Sequence, residues 1–409
     1  MKNTSVLLTS ILVLLLGTAG LFDRAGEPAT PVMRTAQPPS DSAPPPQPDP
    51  PAPTNADHPL LTPAASGLSQ ELLATAPSAE QEISLAEEMN RWPTRDAREL
   101  VSVISSAVGE VGGEFPVTYL LAIAFAETSG KVLAVSPAGA AGLAQATPAA
   151  YLSERFEGRV YITNEYLVGT RAYIMKKPLG DAMSIAALLI KSNDAPARAR
   201  AKELLASAQE LRTEGIEELE VLEPHAPAIF MERVRAADAY NVKTLGELER
   251  LLDRRASTAE IRRFRDRVEK EYRSLMRVQQ ISWKRYADDL AAARDRLLRA
   301  EYGMDPVKVI QTRAYEAGEV LGERLDARFS PTQMAKFLTA HLSTKRREAL
   351  ALGVADHELE EWTAALYNGG GHNVKRMRAG LIGALRETQN YMRKVPASKQ
   401  RLDRLLAPS

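Results

Sequence analysis

The sequence contains no cysteine, which excludes disulfide bonds, thiolate metal ligands, a cysteine nucleophile and a lipidated N-terminal cysteine. It also lacks an excess of either charge, because 52 lysines and arginines balance 52 aspartates and glutamates. No basic field draws the protein onto nucleic acid, so we expect no nucleic-acid partner. The five histidines are scattered, and His357 lacks the second histidine that a helical zinc motif requires one turn later. We therefore expect no metal site.

Alternating apolar and polar residues, the pattern of half-buried strands, are scarce as well. Apolar residues instead recur at helical spacing, as at Leu100, Val103, Ile104 and Val108. A chain of 409 residues is long enough for a sizeable core and for more than one small domain. The sequence therefore predicts an all-α protein.

The N-terminal region predicts export. An apolar run from Val6 to Phe22 follows Lys2; it is short for a spanning helix of about 20 residues but suits the central region of a signal peptide. Residues 1–22 are compatible with a cleaved signal peptide and with an uncut anchor. Either one places the remaining chain in the periplasm or cell envelope, with membrane contact only through this segment.

Residues 23–80 are predicted to form a linker. From about Glu27 to Gly67 the chain is rich in proline, alanine, serine and aspartate. This composition disfavours helix and sheet and favours an extended, polyproline-like spacer.

One carboxylate stands out after the linker. Glu127 lies at the end of a strongly apolar helical segment, and a glycine- and alanine-rich turn follows it. An apolar environment disfavours the charged carboxylate and raises its pKa, which lets it donate a proton near neutral pH. Without further context, a solvated glutamate in the last helical turn is the favoured explanation of this position.

Three ordered motifs supply that context, and together they resemble the soluble lytic transglycosylases. The resemblance covers roughly residues 95–173 and 306–395. In the first region, Glu127-Thr128 resembles the family's Glu-Ser, Ser136, Gly139 and Ala140 fit Ser-x-x-Gly-Ala, and Gly142-Leu143-Ala144-Gln145 fits Gly-Leu-Met-Gln. In the second, Ala365-Leu366-Tyr367-Asn368-Gly369-Gly370 resembles Ala-Tyr-Asn-x-Gly, and Glu387-Thr388-Gln389-Asn390-Tyr391 resembles Glu-Thr-x-x-Tyr.

The resemblance implies a lysozyme-like fold and a lyase that cleaves the MurNAc–GlcNAc bond of peptidoglycan, leaving 1,6-anhydroMurNAc ends without a cofactor. Glu127 is then the single acid/base, and the partner is the glycan strand. The residues implied to line the sugar groove or to support the carboxylate are Thr128, Ser136, Gln145, Tyr367, Asn368, Glu387 and Tyr391. The two glycines at 139 and 142 would let the backbone turn tightly and approach the glycan.

The sequence departs from the family pattern in three ways. Thr128 replaces a serine, and Ala144 and Thr147 stand where methionines are usual, so the apolar bed under one sugar is expected to be thinner. The motifs are also farther apart than a compact domain requires. We therefore predict a helical insertion at residues 176–303 between two domain parts, residues 81–175 and 304–409.

Within the insertion, the stretch from Gly246 to Tyr302 is highly charged and carries one apolar stripe, which is typical of a long helix or a coiled-coil-like pair. We expect it to pack on itself or on the main domain, and we expect its removal to leave a folded domain. Binding of an envelope protein through this stripe stays open. So do three other functions for the chain: a hydrolytic lysozyme-like muramidase, a noncatalytic peptidoglycan-binding scaffold and an envelope adaptor.

Overall fold

The computed structural model describes residues 94–383 and 385–406, with side chains from Glu99 onward. Helices account for 79% of these residues and strands for none of them, so the all-α prediction is confirmed. The predicted signal or anchor segment and the predicted linker lie outside the described residues. Within the described part of the chain, no helix has the length and apolarity needed to span a bilayer.

Thirteen α-helices are seen in the described residues. In chain order they are α1 (Thr94–Val111), α2 (Val117–Thr128), α3 (Pro148–Ser153), α4 (Asn164–Lys191), α5 (Ala195–Glu220), α6 (Phe230–Asp253), α7 (Thr258–Tyr302), α8 (Pro306–Thr312), α9 (Ala314–Arg324), α10 (Pro331–Ala351), α11 (Leu359–Gly369), α12 (Gly371–Arg378) and α13 (Arg386–Leu405). Short 3₁₀ turns at Glu223–His225, Ala327–Phe329 and Asp356–Glu358 connect some of them.

Helix α2 lies at the centre of the main core. Every residue from Val117 to Phe125 is buried, as expected for a helix that is apolar all round. Helix α1 packs beside it, and helices α10 and α13 pack against α1 and α2 respectively. The helix ends where Ser129 adopts a left-handed conformation, φ 54°, and its N–H bonds back to Phe125 O. Glu127 is thus fixed in the last turn of a buried helix.

Helices α4 to α7, residues 164–302, form a four-helix arm. Consecutive helices contact each other, and α4 pairs most extensively with α7. The pairing is antiparallel, since Tyr166 of α4 packs on Tyr286 of α7 while Gly180, farther along α4, faces the earlier Tyr272. Glycine is required where the helices approach closely: a Cβ on Gly169 would lie 2.5 Å from the Trp283 ring.

The arm has two ends with different cores. At the distal end, apolar residues of all four helices form a separate cluster that includes Ile185, Leu205, Leu248 and Phe264. At the proximal end, the arm contributes buried residues to the main core, namely Tyr166, Leu167, Ile174, Met175, Leu219, Leu222, Phe230, Met231, Val234, Tyr286, Leu290 and Leu298. The proximal end is therefore continuous with the body that carries α2.

One predicted edge of the insertion coincides with a helix end, and the other does not. Met304 directly follows Gly303, which ends α7 in a left-handed conformation. Met175, by contrast, lies inside α4, which continues unbroken to Lys191. All described residues also belong to one compact unit. The division at residues 176–303 stays a prediction, but the structure shows no break in the chain at its first edge.

Candidate active site

Glu127 is a partly buried carboxylate with a strongly perturbed pKa. Burial in the apolar surroundings of α2 raises the pKa of Glu127 to about 7, and the nearby Glu387 carboxylate adds to the rise. The Tyr391 hydroxyl and the Lys394 ammonium oppose it. The pKa rise expected from the sequence is therefore present, and Glu127 exchanges a proton near neutral pH.

Two tyrosines from the C-terminal motifs lie at this carboxylate. The Tyr391 hydroxyl donates a 2.8 Å hydrogen bond to Glu127 Oε1. The ring of Tyr367 stacks on that of Tyr391, with centroids 6.4 Å apart and an interplanar angle of 14°. Burial raises the pKa of both phenols well above the usual value, so both remain protonated donors. Helices α2, α11 and α13 thus converge on Glu127.

The Tyr367 hydroxyl is already used within the protein. It donates to Ala144 O at 2.6 Å, so its single hydrogen is not available to a ligand. If Tyr367 lines the sugar groove, as the sequence predicts, it therefore contacts the sugar with its ring and not by donating from its hydroxyl. Through the hydroxyl, Tyr367 fixes the backbone at the position where the family pattern has a methionine.

Thr128 and Ser136 also serve the scaffold. Buried Thr128 has its Oγ1 3.2 Å from Ala124 O and 3.1 Å from Leu143 O, which ties the end of α2 to the following loop. Ser136 Oγ accepts the Ala140 N–H at 3.0 Å and closes the turn. That both residues line the sugar groove or support the carboxylate stays a prediction. Ser136 Oγ only accepts in this turn, so its hydroxyl hydrogen is still able to donate to a ligand.

The loop from Val135 to Ala146 forms a compact cradle. Single β-type bridges join Val135 to Ala141 and Ala141 to Ala146. Gly142 has φ 76°, and a Cβ there would lie 1.7 Å from Arg328 O. The need for glycine at this position therefore comes from a neighbouring protein backbone, whereas the sequence suggested close approach of a glycan.

Gln145 closes this cradle in a strained conformation. It adopts φ 47°, which residues with a side chain rarely do. Its Nε2 donates to Gly142 O at 3.0 Å, and the side chain remains partly exposed. A strained, partly exposed amide beside the Glu127 site is consistent with the ligand-binding role that the resemblance implies.

The last two predicted residues, Asn368 and Glu387, differ in exposure: Asn368 is partly buried and Glu387 is exposed. Asn368 Oδ1 accepts a long, 3.4 Å hydrogen bond from the buried Thr388, which joins α11 to α13. Glu387 is exposed in the first turn of α13, one turn before Tyr391, and this spacing puts both on one helix face. Glu387 thus forms the solvent edge of the Glu127 site.

No match was found when the chain was compared with protein-family models, with curated proteins and with solved structures. The interpretation of the site therefore depends on its own geometry and on the motifs.

A buried ion pair behind the loop is the main feature that the sequence did not reveal. Arg328 and Asp326 are fully buried, with Arg328 Nη2 2.6 Å from Asp326 Oδ2. Arg328 Nη1 donates to Gly139 O and to Ala146 O, both at 3.0 Å. The Asp-Ala-Arg-Phe sequence carries no pattern that separates this pair from a solvated one.

The arm takes part in the same network. Arg328 Nη2 donates to the Tyr286 hydroxyl at 2.7 Å, and that hydroxyl donates to Tyr161 O at 2.7 Å. We call Asp326, Arg328 and Tyr286 the loop anchor. Because Tyr286 belongs to α7, the proximal end of the arm helps to hold the loop that borders Glu127.

A histidine lies behind Tyr367. His341 Nδ1 is 2.6 Å from Glu154 Oε1, and its ring meets the Tyr367 ring edge-on at 5.6 Å. This pair supports the aromatic wall of the site, and no motif in the sequence pointed to it. Within the described side chains, no group of three or more histidines and carboxylates is placed to hold a metal ion.

Proposed function

We propose that this protein is a peptidoglycan lytic transglycosylase with a lysozyme-like core, which cleaves the MurNAc–GlcNAc bond and leaves 1,6-anhydroMurNAc ends. The observation that carries the proposal is Glu127, whose pKa is raised to about 7 and which accepts the Tyr391 hydrogen bond. Tyr367, Glu387 and Tyr391 of the two C-terminal motifs lie near this carboxylate. Their convergence supports a single acid/base, and the proposal requires no cofactor.

In the first half of the reaction Glu127 acts as the acid. Its carboxyl proton passes to the glycosidic oxygen as the bond from that oxygen to C1 of MurNAc breaks. The N-acetyl oxygen of the same sugar supports the positive charge at C1, which replaces the second carboxylate that ordinary glycosidases use. A pKa of about 7 leaves a large share of Glu127 protonated at neutral pH.

In the second half Glu127 acts as the base. Its carboxylate removes the proton of the C6 hydroxyl while O6 attacks C1 and closes the anhydro ring. The proton returns to Glu127, and no water is consumed. The Tyr391 hydroxyl bonds the carboxylate and Lys394 contributes a positive charge, so the ionised form is stabilised between the two steps.

A hydrolytic muramidase is the second candidate, and Glu387 is the observation in its favour. This exposed carboxylate lies near enough to raise the pKa of Glu127. An inverting hydrolase needs such a second carboxylate to activate a water. The two reactions leave different products, since hydrolysis adds the elements of water and transglycosylation does not.

The test is digestion of purified sacculi in H₂¹⁸O, followed by mass spectrometry of the released muropeptides. The transglycosylase proposal predicts products that carry anhydro ends, lighter by one water and free of ¹⁸O. Products with ¹⁸O at the reducing end would instead show the muramidase. Absence of any released product would favour the noncatalytic peptidoglycan-binding scaffold or the envelope adaptor.

Substitution of the carboxylate tests the catalytic assignment. Glu127→Gln keeps the shape but removes the transferable proton, so turnover is expected to fall at least about a hundredfold, the low end for general acid/base catalysis. Glu165→Gln, on the first turn of α4, is the matched control and is expected to keep the wild-type rate. An equal rate of product release by Glu127→Gln and by this control would remove Glu127 from the mechanism.

We also propose that the folded part lies in the periplasm or cell envelope. The support is the apolar run from Val6 to Phe22 and the proline-rich stretch that follows it. A reporter fused after Ser409 is expected to be active on the outer side of the inner membrane. Activity confined to the cytoplasm would contradict this proposal without affecting the catalytic one.

A further inference from the structure

A small cleft between helices α4 and α6 is lined by two arginines. Arg171 comes from α4 and Arg233 from α6, and Asn164, at the start of α4, lies beside them. Leu167 and Phe230 form an apolar wall. The cleft is small, with about 270 Å³ of empty space that includes open solvent at its mouth.

Neither arginine has a counter-charge in the described part of the chain. No ion pair or hydrogen bond of either side chain is found there, and neither belongs to the residues with further contacts. The helical positions three and four residues away hold no carboxylate on either helix, so the usual intrahelical salt bridge is unavailable. Burial, and then the charge of Arg233, lowers the pKa of Arg171.

Another cleft shows the ordinary arrangement. Its lysines are neutralised locally: Lys345 lies 2.8 Å from Glu348, and Lys375 lies 3.0 Å from Glu214. Two like charges in one cleft without a carboxylate are electrostatically unfavourable. Arg233 is exposed, and the repulsion acts on the partly buried Arg171, whose pKa it lowers. An anion is the group that would relieve it.

We propose that Arg171 and Arg233 form a binding site for a phosphate group, free or as a small monoester. Two guanidinium groups match a dianion in charge, and their planar donors suit phosphate oxygens. The N-terminal end of the 28-residue helix α4 adds positive potential at Asn164. The apolar wall, extended by Ile229 with 46% of its surface exposed, accommodates the carbon portion of a monoester.

The site is independent of the proposed catalysis. None of its residues belongs to the loop anchor or contacts Glu127 in the described contacts. The phosphate site can therefore be tested by binding and stability alone. The experiment uses the full chain and follows the melting temperature at constant ionic strength. The probes are inorganic phosphate, glycerol 3-phosphate and acetate.

Phosphate is expected to raise the melting temperature of the wild-type protein in a saturable way, and acetate, a monoanion, to raise it less. A stronger effect of glycerol 3-phosphate would identify a monoester as the better ligand, and equal effects would identify free phosphate as sufficient. Arg171→Gln and Arg233→Gln are each expected to weaken phosphate binding about tenfold or more, the effect of losing a hydrogen bond to a charged group.

Arg235→Gln and Arg277→Gln are the matched controls. Both residues are exposed, lie on α6 and α7, and do not line the cleft. They are expected to keep wild-type binding. Without ligand, Arg171→Gln is expected to melt above the wild type, because it removes a like-charge repulsion, and to lose this advantage in saturating phosphate.

Two results would overturn the proposal. One is an equal rise in melting temperature with phosphate for the double variant Arg171→Gln/Arg233→Gln and for the double control Arg235→Gln/Arg277→Gln. Equal rises would show that phosphate acts by non-specific screening. The other is the absence of any wild-type response to phosphate or glycerol 3-phosphate beyond that to acetate.

Discussion

The loop anchor and the Glu127 site both bury ionisable groups, but they treat them differently. In the anchor, all three guanidinium nitrogens of Arg328 donate, and both carboxylate oxygens of Asp326 accept. Glu127, by contrast, accepts a hydrogen bond from Tyr391 and keeps a raised pKa. The satisfied network fixes the shape of the loop, while the poorly compensated carboxylate remains ready to exchange a proton.

Removing the arm gives the largest expected effect, because the anchor depends on it. Deletion of residues 176–303 would cut α4 in its middle and take Tyr286 from Arg328 and from the main core. We therefore expect loss of cooperative melting. This reverses the expectation from sequence alone, in which the predicted insertion is dispensable. The measurement is thermal unfolding followed by circular dichroism.

A shortened arm sharpens the same comparison. Residues 182–207 and 244–270 are replaced by short glycine-containing loops, which removes the distal cluster except for Leu179 and Ala208 and keeps Tyr286. The cuts follow the observed pairing, in which Ile174 packs on Gly215 and Arg267 bonds Glu247. This variant is expected to melt cooperatively and to retain most of the wild-type activity. Unfolding of this variant as well would show that the distal cluster is part of the folding unit.

Breaking the anchor directly gives the next largest effect. Arg328→Leu leaves the buried Asp326 carboxylate without its partner, and loss of one member of a buried pair costs about 3–5 kcal/mol. Arg324→Leu is the control, since that arginine is partly exposed and pairs with Glu301 at the surface; it is expected to cost about 1 kcal/mol or less. Urea unfolding measures both. Equal losses would mean that the anchor adds no more than a surface pair.

The sequence predicted the Glu127 site better than it predicted the anchor. An acidic residue at the end of an apolar helix has a local signature, and the C-terminal motif placed Tyr391 near it. Asp326 and Arg328 have no such signature, because their burial depends on contacts with Gly139 and Tyr286 far away along the chain. The predicted edge near residue 175 lies inside α4, a helix that continues through Pro178 although proline usually breaks helices.

The hydrogen-bond partners of three hydroxyl groups could not be predicted from the sequence either. Motif matching assigned Thr128, Ser136 and Tyr367 to the substrate side, and each residue type is correct for that purpose. In the structure, all three hydroxyls bond the protein backbone. The direction of a hydroxyl depends on packing that no local pattern specifies. The motif therefore predicts the residue type but not its hydrogen-bond partner.

The smallest expected effect tests the single hydrogen bond that compensates Glu127. Tyr391→Phe removes a donor to the carboxylate, and a donor favours the ionised form, so the pKa of Glu127 is expected to rise above its value of about 7. A hydrogen bond to a charged group contributes about 1.5–3 kcal/mol, which corresponds to a rise of roughly one to two pKa units. The measurement is kcat/KM for release of anhydro-muropeptides as a function of pH.

The sign of this shift follows from the acid step. The reaction starts from protonated Glu127, so kcat/KM falls as the pH rises through the Glu127 pKa, and Tyr391→Phe moves this fall to higher pH. Folding stability gives a second sign check, because a carboxylate with a raised pKa loses stability between the unfolded-state pKa, near 4.5, and about 7. Glu127→Gln removes that loss, so its melting temperature should increasingly exceed the wild-type value across this range. A kcat/KM profile of Tyr391→Phe that falls at the wild-type pH would show that Tyr391 does not set the pKa of Glu127.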